Sequence, residues 1–245
     1  MSAPLRIAMW SGPRNISTAM MRSFGARADC TVTDEPFYGA YLKQTGERQP
    51  MADEVIASMD CDWQSVTDAM RGPVPGGRPL WYQKHMPHHM VGPVGINDLP
   101  DHLHAFLIRD PTRVVASYAA KREQVTLADI GFEKQRDYFD RIAYRKGKAP
   151  PVLDSAAVLA DPEGQLRALC RALGIAWEPA MLSWEKGPRK TDGIWAAHWY
   201  PAVENSTGFA PPRRIIPDLS DEQRRIADAA RPFYDHLAKH ALASD

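Results

Sequence analysis

Cysteine is scarce and scattered in this chain of 245 residues. Cys30, Cys61 and Cys170 are the three present, and no C-x-x-C pair occurs. That argues against a disulfide scaffold. Long apolar runs are missing too, so no membrane span is expected. The start of the chain has no basic stretch followed by a signal-peptide core, so a reducing cytoplasm is the expected compartment. Net charge is absent: Lys+Arg and Asp+Glu both number 30. That argues against broad binding to nucleic acid or membranes and leaves room for a local basic crevice. No internal repeat or linker interrupts the chain. Residues 1–245 are therefore expected to form one α/β domain, long enough to bury a good core.

Residues 5–24 read LRIAMWSGPRNISTAMMRSF. Leu5 to Trp10 suits a buried strand, and Ser11, Gly12 and Pro13 break it. An amphipathic helix follows, with Met20, Met21 and Phe24 on one face and Ser17 or Thr18 as its expected cap. Free N–H groups at a helix start, together with the helix dipole, favour an anion. Arg14 adds a permanent cation whose planar fork suits oxygen atoms. The segment reads as a phosphate-binding strand-loop-helix with arginine where a nucleotidase places its lysine. The G-x-x-x-x-G-K-S/T pattern of nucleotide kinases and hydrolases is not met, since both its lysine and its second glycine are missing.

A second segment repeats the arrangement. The apolar run Ala105 to Ile108 ends at Arg109, Asp110 and Pro111, and Thr112 to Arg122 reads as a helix. Asp110 is a natural N-cap, Pro111 suits the first helical position, and Val114, Val115 and Tyr118 form the buried face. Arg109 then sits at the carboxyl end of a strand, where open α/β sheets collect ligands. Ser117, two turns into the helix, can point its hydroxyl back to the same crevice.

WSGPRNISTAM resembles the 5′-phosphosulfate loop of the sulfotransferases, whose core reads K/R-S-G-T-T. Arg14, Asn15, Ile16, Ser17 and Thr18 fall on those positions. LIRDPTRVVASY is similar to the family's 3′-phosphate motif, in which an arginine and a serine lie eight residues apart, as Arg109 and Ser117 do. PPVLDSAAVLADPEGQLRALCRALGI resembles the strand, acidic loop and helix that follow. The resemblance implies a three-layer α/β/α fold around a parallel sheet. It also implies transfer of a sulfuryl group from 3′-phosphoadenosine-5′-phosphosulfate to a hydroxyl or amine of a small acceptor, with no metal. Ile16 departs from the family's loop glycine, so a positive φ there is costly. Asp154 and Ser155 replace a common Tyr-Glu pair. The family's C-terminal nucleotide-wrapping motif is absent, and Arg213 and Arg214 are the candidates to reach the 3′-phosphate instead.

The family's K-x-H-x-P motif pairs a lysine on the donor's bridging oxygen with a histidine base. Here Lys84-His85-Met86-Pro87 is one residue shorter and follows a strand expected at Leu80 to Gln83. An imidazole can take the acceptor's proton, and a cation can stabilise charge on the leaving phosphate. His85 is the first candidate for the base, with Lys84 as the electrophile. His88 and His89 compete through the shortened spacing, although core or surface roles suit them better. Glu35, just before Pro36, is a second candidate base, matching a carboxylate-using branch of the family. A His85–His89 metal pair lacks a third ligand and has Pro87 between its members. Asp60-Cys61-Asp62 reads as a helix boundary. Trp184, Trp195 and Trp199 suit packing or an adenine face.

Elsewhere, strands alternate with helices, which implies a parallel, helix-flanked sheet. A strand is expected at Thr31 to Thr33, and helices at Met51 to Met59, Asp62 to Met70 and Glu133 to Arg145. A further helix starts at Asp161-Pro162 and closes at Gly174. Residues 187–217 have no clear period and read as a covering lid. Ser220 and Gln223 open a C-terminal helix over 220–240, with a kink expected at Pro232. Two other classes remain open on the sequence: a phosphotransferase or nucleotide hydrolase with an unusual loop, and a non-catalytic nucleotide-binding module tied to amino-acid metabolism. The sequence leaves the oligomeric state open.

Overall fold

Five short segments pair into one parallel sheet. The computed structural model describes residues 3–122, 124–212 and 216–244. Strand β1 (Leu5–Ser11) leads through helix α1 (Ser17–Gly25) to β2 (Cys30–Asp34). Three helices follow, α2 (Tyr38–Thr45), α3 (Ala52–Ser58) and α4 (Trp63–Arg71), before β3 (Leu80–His85) and β4 (Leu103–Ile108). Then come α5 (Pro111–Ala119), α6 (Leu127–Ile130), α7 (Phe132–Lys146), β5 (Val152–Asp154), α8 (Ser155–Ala160) and α9 (Pro162–Leu173). Two single-turn helices, α10 (Ala196–Trp199) and α11 (Pro201–Glu204), precede the last helix, α12 (Asp221–Ala238).

The strand order is β2-β3-β1-β4-β5, with every pair parallel. Side chains alternate between the two faces of a strand. Ile7 and Met9 of β1 therefore join a core with α1, α2, α3, α8 and α9. Ala8 and Trp10 face the other way, into a core with α4, α7 and α12. This is the expected three-layer α/β/α arrangement. The chain leaves β1 toward β2 and β3 on one side and later returns to β4 on the other. The carboxyl ends of β1 and β4 thus flank the point where the winding reverses, where ligands gather in such sheets.

Local chemistry explains most element ends. Asp110, Asp62, Asp161 and Ser220 each accept a backbone N–H as N-caps, and Gly174 closes α9 in the left-handed region at φ 69°. The C-terminal helix runs through Pro232 to Ala238. Three expectations need correction, and one helix was not foreseen. Ser17 and Thr18 do not cap α1; Ile16 occupies the cap position and offers no side-chain acceptor. Helix α5 ends at Ala119 rather than Arg122. Strand β3 runs two residues past Gln83, through Lys84 and His85. Helix α2 was not expected, because Gly39 weakens its helical pattern; a Cβ there would lie 2.8 Å from Met59 Cβ, so close packing against the end of α3 requires glycine.

The covering segment 187–217 is anchored where it is described. Asp192 forms a two-pronged ion pair with Arg22 of α1, at 2.6 and 2.7 Å, with both side chains buried. Gly187 donates to the Glu204 carbonyl, and the Trp184 N–H donates to the Thr207 carbonyl. Arg213 and Arg214, expected at the 3′-phosphate, lie outside the described residues.

Candidate active site

The loop after β1 is held in an unusual backbone shape. A Cβ at Gly12 would lie 2.8 Å from the Ile130 carbonyl oxygen, so the loop passes the end of α6 at a distance only glycine allows. Arg14 (φ 58°) and Ile16 (φ 51°, ψ 14°) both adopt left-handed conformations. The residue at the family's glycine position therefore takes the positive φ that a β-branched side chain disfavours, at a cost of about 1–3 kcal/mol. Asn15 braces the loop: its buried amide donates to the Leu107 carbonyl on β4 at 2.6 Å. No side chain caps α1, so the side-chain acceptor that would otherwise compete for its first N–H groups is missing.

The loop after β4 closes on this one. Asp110 caps α5 and also takes a 2.8 Å ion pair from Arg231 of α12. Arg109 donates to the Arg14 carbonyl, and Arg14 Nε donates to Ser117 Oγ at 3.1 Å. Three residues chosen from two separate segments thus meet at the carboxyl ends of β1 and β4. They line a cavity of about 1010 Å³ together with Ile16, Ser17 and Thr18.

The cavity continues over β2 and β3, and here strand alternation decides the chemistry. Lys84 faces the cavity, while His85, its neighbour on β3, faces the opposite core. His85 stacks on Trp10 at 4.7 Å, its Nε2 lies 3.1 Å from Gln83 Oε1, and it does not line the cavity. Burial, followed by the nearby His102 and His104, pushes its pKa well below the usual value. The expectation that His85 is the base is thus corrected: extending β3 by two residues turns its imidazole away.

Lys84 is buried, and its ammonium is surrounded. Nζ lies 2.6 Å from Tyr200 OH, 2.7 Å from Glu35 Oε1, 2.9 Å from Asp34 Oδ1 and 3.3 Å from Thr18 Oγ1. Burial opposes this charge, but the two carboxylates raise the lysine's pKa well above its ordinary value. The Tyr200 hydroxyl donates to the Asp34 carboxylate, with Oδ2 at 2.7 Å. Glu35 follows β2 with φ 43° and donates its N–H to the Lys84 carbonyl at 3.0 Å. Its carboxylate reaches the cavity beside His89, which stacks against Tyr38 (4.6 Å) and Tyr41 (4.8 Å).

A model of the sulfotransferase domain matches residues 5–241, nearly the whole chain. The chain belongs to the sulfotransferase domain family. Among solved structures, this sulfotransferase-family chain is similar to a sulfotransferase from Alicyclobacillus acidocaldarius, with TM-score 0.56 and 13% identity over 99% of this chain and 98% of that one. It is also similar to the sulfotransferase domain of the Synechococcus PCC 7002 olefin synthase, with TM-score 0.53 and 15% identity over 94% and 95%. At these identities the likeness supports the fold. Two Arabidopsis thaliana proteins, branched-chain-amino-acid aminotransferase-like proteins 1 and 2, are each 32% identical. They match over 100% and 94% of this chain but only 43% and 41% of their own lengths. The chain therefore spans less than half of those relatives.

Sequence reading missed two members of the site. Asp34 ends β2 one residue before the expected Glu35, and alternation along that strand was the available signal. Tyr200 lies in the aperiodic covering segment, where no spacing marks it. Trp195 and Trp199 line the cavity, whereas Trp184 packs edge-on against Phe209. Among the described residues, no group of three or more His, Cys, Asp or Glu is placed to hold a metal, and no helix is long and apolar enough to cross a membrane.

Proposed function

We propose that this chain transfers the sulfuryl group of 3′-phosphoadenosine-5′-phosphosulfate to a hydroxyl or amine of a small-molecule acceptor. The observation that carries the reading is the meeting of Arg14, Arg109 and Ser117, drawn from two separate strand-loop-helix units onto one crevice at the sheet's reversal point. Arg14, Ser17, Thr18 and the N–H groups at the start of α1 hold the 5′-phosphosulfate, with Asn15 and Ile16 setting the loop's shape. Arg109 and Ser117 hold the 3′-phosphate. The cavity volume of about 1010 Å³ is at the upper end for small-ligand sites and accommodates a nucleotide beside an acceptor.

Lys84 sits between the phosphate loop and Glu35, 3.3 Å from Thr18 Oγ1 and 2.7 Å from Glu35 Oε1. From there it stabilises charge developing on the bridging oxygen as the phosphate leaves. Glu35, with His85 turned away, takes the acceptor's proton. Positioning and fixed charge supply the remaining rate. Transfer of labelled sulfuryl from the donor to a broad acceptor panel tests the reading. Arg14→Ala should lower turnover by ~10²–10³, the usual loss for one transition-state donor. Unchanged turnover and donor affinity in that variant would mean the loop is purely structural.

A further inference from the structure

His89 has no role in the scheme above, yet it occupies a telling position. It is buried, it lines the cavity, and its Nδ1 has no hydrogen-bond partner among the described residues. An orphaned polar atom in a buried site is costly, and it commonly marks where a ligand completes the bonding. That atom faces Glu35 Oε2 at 3.9 Å. The other carboxylate oxygen, Oε1, is engaged by Lys84 at 2.7 Å. A base oxygen and an unmatched imidazole nitrogen therefore lie close enough together for one atom to reach both. One oxygen atom placed about 2.8 Å from each could bond to both.

The electronic state of His89 fixes what that atom must be. Burial, followed by the charge of Lys84 and then His85, holds the imidazole neutral. Glu35 is the carboxylate nearest it; Lys84 is the nearby cation; Tyr38 and Tyr41 stack against it, and His88 meets it edge-on at 4.3 Å. With the Glu35 carboxylate the nearest charge to Nδ1, electrostatics favour the neutral tautomer that carries its proton there. Nδ1 is then a donor.

We propose that His89 selects the acceptor: its Nδ1–H donates to the attacking atom while Glu35 Oε2 accepts that atom's proton, and this pair selects alcohols and phenols over amines. The proposal rests on the sulfotransferase reading above. A hydroxyl oxygen has one proton for Glu35 and two lone pairs. One lone pair accepts from His89 and the other attacks sulfur. An uncharged amine nitrogen has a single lone pair. If it attacks, His89 stays unpaired; if it bonds to His89, nothing is left to attack. In the step itself, the acceptor O–H proton passes to Glu35 Oε2 and the oxygen lone pair forms the new O–S bond. The S–O bond to the donor's 5′-phosphate breaks, and its electron pair leaves on the phosphate oxygen beside Lys84. Beyond the Lys84–Glu35 pair, Tyr38, Met86 and Trp195 add uncharged lining to the cavity, which suits an acceptor that is neutral at its reacting end.

The test compares matched probes at saturating donor: substituted phenols against the corresponding anilines, which are uncharged near neutral pH. Wild-type protein should favour the hydroxyl member of each pair at least tenfold in kcat/KM. His89→Ala should lose tenfold or more on the phenols and change little on the anilines, removing the preference. His89→Asn, which keeps an N–H donor, should recover part of it. Preference for anilines, or an equal loss on both series in His89→Ala, would overturn the proposal. Transfer to no probe at all would also overturn it. Heat of binding of adenosine 3′,5′-bisphosphate in the same preparation then tells whether the nucleotide site itself still stands.

Discussion

Replacing Lys84 by methionine removes the cation at the centre of the site and leaves Asp34 behind. The Asp34 carboxylate is buried, with Lys84 at 2.9 Å and the Tyr200 hydroxyl at 2.7 Å as partners. Methionine fills a similar volume, so the packing loss is small. The electrostatic loss is not: deleting one partner of a buried ion pair costs about 3–5 kcal/mol, because the remaining charge has no compensation. Asp34 escapes by taking up a proton, since burial already pushes its carboxyl pKa upward. The folded variant then binds a proton that the unfolded chain, with an ordinary aspartate, releases above about pH 4. Its stability must therefore fall as pH rises, by up to about 1.4 kcal/mol per unit, until Asp34 ionises in the folded state. Urea unfolding of wild type and Lys84→Met at pH 5, 6.5 and 8 measures this directly. The deficit should grow with pH, and adding Asp34→Asn to the variant should return most of it. A deficit below about 1 kcal/mol at pH 8, far under the expected cost, or one independent of pH, would refute the buried-pair account.

Acid should destabilise the wild type through its histidines. Burial pushes His85 and His89 well below the usual range, His102 down to about 4 and His104 down to about 3. The folded state stays neutral where the unfolded chain takes up protons, so stability falls once pH drops below about 6.5. Four such groups amount to roughly 5 kcal/mol by pH 5.5, comparable to the stability of a small domain; an unchanged urea midpoint between pH 7.5 and 5.5 would contradict this. Tyr200→Phe removes a donor to Asp34 and an acceptor for Lys84, and calorimetric unfolding should record a loss of about 1–3 kcal/mol. Asp192→Ala strands the buried Arg22 guanidinium. Limited proteolysis should then cut within 187–217 faster than in wild type, and equal rates would mean that other contacts hold the segment.

The sequence was most legible where short-range chemistry settles the structure. The run Leu5 to Trp10, the Gly12 break and the Asp110-Pro111 helix start each have a local cause, and β1, β4 and α5 follow from them. Arg14, Arg109 and Ser117 came together for that reason. The face that β3 presents was not legible. Lys84 and His85 are neighbours, and ending the strand at Gln83 rather than His85 leaves their directions undetermined. The winning factor was pairing along the strand, with Met9 opposite Lys84 and Trp10 opposite His85. Helix α2 was hidden by Gly39, whose value lies in a tertiary contact with Met59. Tyr200 was hidden because a covering segment is ordered by anchors such as Arg22–Asp192, and those leave no period in the sequence.

Calorimetric titration with adenosine 3′,5′-bisphosphate, set beside AMP, tests the central claim most directly. The two nucleotides differ by the single 3′-phosphate assigned to Arg109 and Ser117. The bisphosphate should bind at least tenfold more tightly, a difference of about 1.4 kcal/mol or more. Arg109→Ala should remove most of that advantage and leave AMP binding nearly unchanged. Equal affinities of the two nucleotides for the wild-type protein would contradict the assignment of this crevice to a 3′-phosphorylated donor.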